Sequence, residues 1–358
     1  MPRTRPVRSG SAPVRDAAVA ALGRRVAAVD QRADESYELE LESGRTATLR
    51  LAARCGDDER LVEPCLLDAL RDTDVPAPEL LAAVGPETSP FDAAFCIVDV
   101  NRGQRLDDVL DLPEPAHERL VREAGAHLAA LHNASVGAYT TENGGAYGDL
   151  RVPNCHPDSP LVVVDGGDEE VRPAHARWPD RVERLTDRAL GGLQGGEFTD
   201  LVGPIGAGVA AAGLPERPAA AALHLGYRPA NIEFEPGITW PSHAQRGGTV
   251  VRTLRGFENA STGDGLLDLA VAEDALISLP LGDTDRAQEL TATLRESYVA
   301  ERGVPTPFGE RYAAYLLLAR ARLLSRLGAP YRVTREHDAY DAAIRFREQV
   351  DSLVDTLR

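Results

Sequence analysis

The chain contains no lysine: all 39 of its basic residues are arginine. Every side-chain cation outside histidine is therefore a planar guanidinium fork, never a point ammonium. Acidic residues number 56, which sets the formal charge at −17. A surface that acidic argues against nucleic acid or an anionic membrane as the main partner. It suits a salt-rich cytoplasm, where screening removes much of the self-repulsion. An arginine-favouring codon bias gives the same composition, and composition does not separate the two. Cysteine is scarce as well. Cys55, Cys65, Cys96 and Cys155 form no Cys-x-x-Cys pair, and Cys155-His156 has no partner pair at ligand spacing. That argues against a zinc site and for reduced, mostly buried thiols in a cytoplasmic protein. Aromatics are 5% of residues, so the core must be built from Ala, Val and Leu. No apolar run has membrane-spanning length, and the N-terminal arginines precede no signal-like stretch. Residues 1–12 read as a flexible tail.

What is present is 358 residues, of which 43% are hydrophobic. That length suits one two-lobed domain or two ordinary ones. Asp16–Val29 has helical periodicity and high helix propensity. Ser36–Leu41 and Thr46–Ala52 alternate polar and apolar residues about a turn at Glu42-Ser43-Gly44-Arg45, which predicts a hairpin. Arg60–Arg71 reads as a helix, with Pro64 best placed in its first turn. Ala93–Val100 reads as a short buried strand. Pro115–His132 is a long amphipathic helix with Leu120, Ala124, Leu128 and Leu131 on one stripe. Gly144–Asp168 is loop-rich and gives no clear element. Helices are predicted near Trp178–Leu193 and Phe198–Ala212, and short strands at Asn231–Phe234 and Val250–Leu254. Four more helices, over 268–278, 284–301, 308–327 and 337–357, close the chain.

The chemically suggestive residues fall in one stretch. His224-Leu225-Gly226-Tyr227-Arg228-Pro229-Ala230-Asn231-Ile232 is followed by Gly256-Phe257-Glu258-Asn259-Ala260, then Gly263-Asp264 and Asp268-Leu269-Ala270. Order and spacing resemble the core of the aminoglycoside phosphotransferase and choline kinase-like family, which has a protein-kinase-like fold. That family usually writes His-Gly-Asp-x-x-Pro-x-Asn-Ile and Asp-[Phe/Trp]-Glu-x-Ala. The resemblance covers roughly residues 25–325. It implies a two-lobed α+β fold: a small β-rich N-terminal lobe over residues 13–102 and a larger, mainly helical lobe over 103–358, with the catalytic-loop-like segment at 222–270. The chain reads as a degenerate member, with a composition that fits a haloarchaeal source.

The resemblance also implies a site. Phosphoryl transfer needs a cation for the nucleotide phosphates, acidic and amide groups for Mg²⁺, and a carboxylate to orient the acceptor hydroxyl. Arg50 stands at the phosphate clamp, where the family usually has lysine, and Glu63 at its helix partner; taken alone, Glu63 reads as an exposed helix carboxylate. The segment Val75-Pro76-Ala77-Pro78 resembles the family's Val-Pro-x-Pro, and Asp99 with Val100 lies on the nucleotide side. The phosphate-covering loop falls at Asp30–Glu35, which has no glycine and is acidic. Gly226 occupies the position of the catalytic carboxylate, whose loss typically costs roughly 10²–10⁴-fold in rate. Gly256 occupies the position of the main Mg²⁺ aspartate. Asn231 is the second metal ligand of the pattern, or else a loop residue bonding its own backbone. His224 reads as a scaffold residue, and Glu258 is a weak candidate for a substitute metal ligand. Asp268 reads as a helix cap, and Asp149 as a turn residue. An acidic large lobe suits a cationic acceptor.

The expected function is a phosphotransferase-like protein that has lost efficient phosphoryl transfer. It would serve as a pseudokinase-like binding or regulatory module for a small molecule or a protein partner, with no nucleic acid and no membrane. The alternative is an active kinase that uses ATP and Mg²⁺ in a rearranged site to phosphorylate an amino sugar or amine-type substrate.

Overall fold

The computed structural model describes residues 11–32, 36–51, 59–91, 93–99, 103–106, 112–134, 147–152, 161–166, 171–234, 249–303, 308–325 and 336–357. Helix α1 (Ser11–Leu22) leads into β1 (Val26–Gln31), β2 (Ser36–Leu41) and β3 (Thr46–Leu51). Helix α2 (Glu59–Leu70) and strands β4 (Leu80–Val84) and β5 (Phe95–Asp99) follow. The five strands form one antiparallel sheet in the order β1-β2-β3-β5-β4.

Alternation along its strands explains how the sheet is covered. Leu49 on β3, with Phe95 and Ile97 on β5, joins Val14 and Ala18 of α1 in one apolar cluster. Cys96 and Val98 point the other way, into a cluster that contains Val62, Leu66 and Leu70 of α2. Arg50 lies opposite Cys96 in the β3–β5 register. It therefore emerges on the α2 side, beside Ser36 of β2.

Strand β6 (Gln104–Arg105) and helix α3 (Glu114–Asn133) come next. Strands β7 (Gly148–Arg151), β8 (Val162–Gly166) and β9 (Val171–Pro173) precede α4 (Trp178–Gly191) and α5 (Val202–Ala211). Then come β10 (Ala220–Leu223), β11 (Ile232–Phe234), β12 (Val251–Leu254) and β13 (Ser261–Asp264). One sheet has the order β10-β13-β7-β8-β9 and another the order β12-β11-β6. Helix α6 (Gly265–Glu273) runs into a π-helical turn at Asp274–Ser278 and is followed by α7 (Asp285–Arg302), α8 (Glu310–Leu324) and α9 (Glu336–Thr356). Among the described residues no helix is long and apolar enough to cross a membrane.

Several sequence expectations need correction. The helix expected over 16–29 is α1 plus β1: Gly23, at φ +61°, takes the helix end by donating to the Val19 carbonyl. Val26–Gln31 then gains more from pairing with β2 than its alanines lose in helix propensity. Part of the expected tail is helical, since α1 starts at Ser11. Pro64 lies inside α2, beyond the first turn. The unassigned stretch 144–168 supplies β7 and β8. Asp149 is a strand residue on β7, ion-paired with the buried Arg181, and not a turn residue.

Candidate functional site

Strand β10 delivers the loop that carries the resemblance, and the next turn is held from below. Asp268 is fully buried in α6. Its Oδ2 accepts the His224 N–H at 2.6 Å and its Oδ1 the Leu225 N–H at 2.7 Å. Leu225 sits at φ +52°, a left-handed conformation that costs a branched residue roughly 1–3 kcal/mol. The carboxylate clamp is what over-determines it. His132 of α3 closes the network, with Nε2 3.3 Å from Asp268 Oδ2 and Nδ1 2.8 Å from the Tyr298 hydroxyl. Burial alone would push the Asp268 carboxyl up. The hydrogen bond and charge of His132, with smaller contributions from His224, outweigh it and hold the group below its ordinary range. Asp268 is thus a loop anchor, and the helix cap is Asp264, which accepts from the Leu266 N–H at 3.1 Å.

His224 is a pin between two segments. Its Nε2 lies 2.8 Å from the Arg255 carbonyl, which can only accept, so Nε2 carries the proton and donates. Burial lowers the pKa of the ring, against the pull of Asp268. Its edge packs on Phe257 at 4.7 Å between ring centroids. The neutral, buried ring holds the segment before Gly256 against the one before Gly226.

Asn231 fills the space between the two glycines. Its Nδ2 donates to the Gly226 carbonyl at 2.8 Å, and its backbone carbonyl accepts the Arg255 N–H at 2.8 Å. A Cβ added at Gly226 would stand 3.1 Å from Asn231 Nδ2 and 3.4 Å from the His224 ring. At Gly256, where φ is +96°, it would stand 2.7 Å from the same nitrogen and 3.1 Å from Asn231 Cγ. Space and backbone conformation both favour glycine at 256. The amide that the family pattern assigns to metal is committed here to the loop backbone.

Most of the remaining charged groups pair within one lobe. Arg50 and Glu63 form an ion pair, and Glu63 is 2% exposed; its side chain does not lie on the exposed helix face that its segment alone suggests. Burial pushes the Glu63 carboxyl up, against the pull of Arg50. Asp99 pairs with Arg45, which also meets Glu79 at 3.0 Å. Val100 lies outside the described residues, as does 33–35 of the expected phosphate loop; Arg32 beside it pairs with Glu38. The segment 75–78 between α2 and β4 meets the large lobe directly, for the Leu254 N–H donates to the Pro76 carbonyl at 2.7 Å. Arg255 Nε is 2.8 Å from Glu233 Oε1, an ion pair out of line for a hydrogen bond. Glu258 is half-buried with Asn259 Nδ2 at 3.3 Å, and its charge reaches Arg50, Glu63 and His224.

These residues do not fit a divalent cation. No group of three His, Cys, Asp or Glu able to hold a metal occurs among the described residues. The two glycines bring no carboxylate, the Asn231 nitrogen faces a carbonyl, and the acid in electrostatic reach of Glu258, Glu63, is ion-paired with Arg50. Mg²⁺ is held through carboxylates in near-ideal octahedral geometry, and neither Gly226 nor Gly256 brings one.

No family model matches the sequence, and no curated protein matches it. Solved structures do match in shape. The chain is similar to a provisionally named aminoglycoside phosphotransferase from Ralstonia eutropha, with 19% identity, a TM-score of 0.59 and coverage of 93% of both chains. It is similar to a thermostable mutant of aminoglycoside phosphotransferase APH(4)-Ia in ternary complex with ADP and hygromycin B, with 16% identity, a TM-score of 0.56 and coverage of 96% of this chain and 98% of the other. A provisionally named fructosamine-3-kinase from Thermobifida fusca gives 21% identity, a TM-score of 0.51 and coverage of 95% and 100%. The chain has the two-lobed kinase-like fold. At these identities the likeness establishes architecture, an antiparallel sheet lobe followed by a helical lobe, and not an activity.

Two contributors to this site carry no local sequence signal: His132 and Tyr298 join Asp268 from other helices.

Proposed function

We propose that this protein is a kinase-fold binding or regulatory module that does not transfer phosphate efficiently. The observation that carries this reading is the Asn231 side chain seated between Gly226 and Gly256, its Nδ2 bonded to the Gly226 carbonyl at 2.8 Å. Asn231 Nδ2 would stand 2.7 Å from a Cβ at 256, the position of the metal-holding acid, and 3.1 Å from one at 226. A carboxylate base and a metal-neutralised phosphate are the two terms on which the chemistry of this fold depends. The loop around them stays intact because Asp268 and His224 hold it by groups that take no part in the reaction. ATP is the nucleotide that the neighbours' complexes bring to mind, and Mg²⁺ is the ion that this corner is least suited to hold. The natural ligand is then a small molecule or a protein partner in a cytoplasmic setting, and the charge of −17 supports neither nucleic acid nor a membrane.

Incubation with Mg²⁺-ATP and a panel of amino sugars, followed by mass spectrometry of the small molecules, tests the reading. No phosphorylated product above the buffer control is expected. Multiple turnovers would overturn it in favour of an active kinase with a rearranged site.

A further inference from the structure

The small sheet β12-β11-β6 has two faces of different chemistry. Ile232, Phe234 and Leu254 turn into the large apolar core. The residues between them turn the other way. In the ladder, Glu233 of β11 stands opposite Thr253 of β12 on one side and Arg105 of β6 on the other. Cross-strand partners project from one face, with Cβ atoms roughly 4.5–5.5 Å apart. Arg255 lies two residues beyond Thr253, and its Nε is 2.8 Å from Glu233 Oε1. That contact puts the carboxylate over β12, on the side from which Thr253 projects.

This polar row is covered. Glu233 is 5% exposed and Thr253 1%. The chain entering β6 runs directly over it, for a Cβ at Gly103 would stand 2.5 Å from Glu233 Cβ. Burial pushes the Glu233 carboxyl up, against the pull of Arg255 and Arg105. Yet Glu233 Oε2 and Thr253 Oγ1 both lack a hydrogen-bond partner. Most other unpartnered buried atoms are arginine nitrogens, each one of several donors on a fork. Here a carboxylate oxygen and a hydroxyl are unmet side by side, which is costly unless something bonds them both. Charge narrows what that is. Glu233 already faces two guanidinium groups, so the row has no surplus negative charge with which to hold an amine. A hydroxyl can donate to the carboxylate oxygen, and its neighbour can donate to or accept from Thr253.

We propose that Glu233 and Thr253 form a binding site for a neutral polyhydroxyl compound, a sugar or polyol, with Glu233 Oε2 accepting from one hydroxyl and Thr253 Oγ1 bonded to the next. Because Gly103 lies on Glu233, the ligand enters when the chain there moves aside. This names the small-molecule ligand of the module reading, and it rests on that reading.

Isothermal titration of the full chain with glucose, ribose and myo-inositol, and with glucosamine and adenosine as contrasts, tests it. At least one neutral polyol is expected to bind, and more tightly than either contrast. Thr253→Val keeps the shape and removes the hydroxyl. It should weaken that binding by about five- to a hundredfold. The same variant should raise the melting temperature of the unliganded chain, since valine buries no unbonded hydroxyl. A hydroxyl with a purely structural role gives the opposite sign in melting. Thr253→Ser should restore binding, and Glu233→Gln should weaken it by removing the charged acceptor. No binding of the three polyols, tighter binding of glucosamine or adenosine, or a lowered melting temperature in Thr253→Val would overturn the proposal. Its failure is separable from that of the module reading: turnover with Mg²⁺-ATP sinks the module, whereas no turnover together with no polyol binding sinks only this site.

Discussion

Two sides of one loop, a few ångströms apart, have opposite character. Below the loop, Asp268 uses both oxygens on backbone amides, His132 and Tyr298 extend the network, and His224 reaches across to the Arg255 carbonyl. Above it, two glycines face each other across one amide. The lower side is buried and polar, so removing any one member leaves an unpaired group in a low-dielectric interior. The upper side does nothing for stability that glycine and asparagine cannot do. A fold can lose its reacting groups at little energetic cost, but not the groups that hold the reacting loop in place.

The contrast can be broken most strongly from below. Asp268→Ala strands two buried amides and releases Leu225 from its left-handed conformation. A loss of about 3–5 kcal/mol is expected by urea denaturation, in the range for uncoupling a buried charged group. A change below about 1 kcal/mol would show that the lower side is not what holds the loop.

Restoring the upper side should be the next most costly change. Gly256→Asp places a side chain at φ +96° with its Cβ 2.7 Å from Asn231 Nδ2. A loss of about 1–3 kcal/mol follows from the backbone strain, with no gain in Mg²⁺-dependent ATP hydrolysis. Adding Asn231→Ala relieves the contact, so the double variant should be more stable than the two single losses predict, by roughly 0.5–3 kcal/mol in a double-mutant cycle. Additive losses would mean that the amide does not block the site.

A third test uses pH. Burial lowers the pKa of His127 from 6.5 to about 4, with its Nδ1 3.0 Å from the Tyr227 hydroxyl. The unfolded chain therefore takes up this proton first. The stability contribution is complete above about pH 6.5 and is lost progressively as pH falls from there towards 4. His127→Gln should flatten the slope of stability against pH in that window, and an unchanged slope would place the acid sensitivity elsewhere. The smallest effect is expected at Gly226→Ala. Its Cβ meets Asn231 Nδ2 at 3.1 Å, a contact relieved by a shift of a few tenths of an ångström. A change within about 1 kcal/mol in thermal melting fits this difference from Gly256.

Much of this was legible in the sequence, for reasons that can be traced to particular residues. The hairpin of β2 and β3 announced itself through alternation, and α3 through its Leu120–Leu131 stripe, because each pattern is local. The kinase-like architecture was carried by the ordered spacing from His224 to Ala270. What stayed hidden depends on distant partners. Asp268 looked like a helix cap because the helix expected from the sequence begins there, yet α6 starts at Gly265 and the Asp268 bonds reach His224 and Leu225 more than forty positions back in the chain and His132 on α3. Asp149 looked like a turn residue because Gly148 precedes it, whereas strand pairing and Arg181 decide its place. The strand β1 was hidden by its alanines. That Gly226 and Gly256 lack carboxylates was plain; that Asn231 closes the gap between them was not, because only the fold brings the three together.

The two faces of the small-lobe sheet have a consequence for how the molecule comes apart. Leu49, Phe95 and Ile97 pack outward with α1, whereas Cys96 and Val98 belong with α2 to the same apolar continuum as Leu223 and Phe257 of the large lobe. The seam of weakest cohesion then runs through the sheet, not between the lobes. On hydrogen exchange, the amides of α1 should open at lower free energy than those of α2, which should exchange together with the large-lobe core. A protein of this shape would loosen by shedding its outer layer while α2 stays with the large-lobe core.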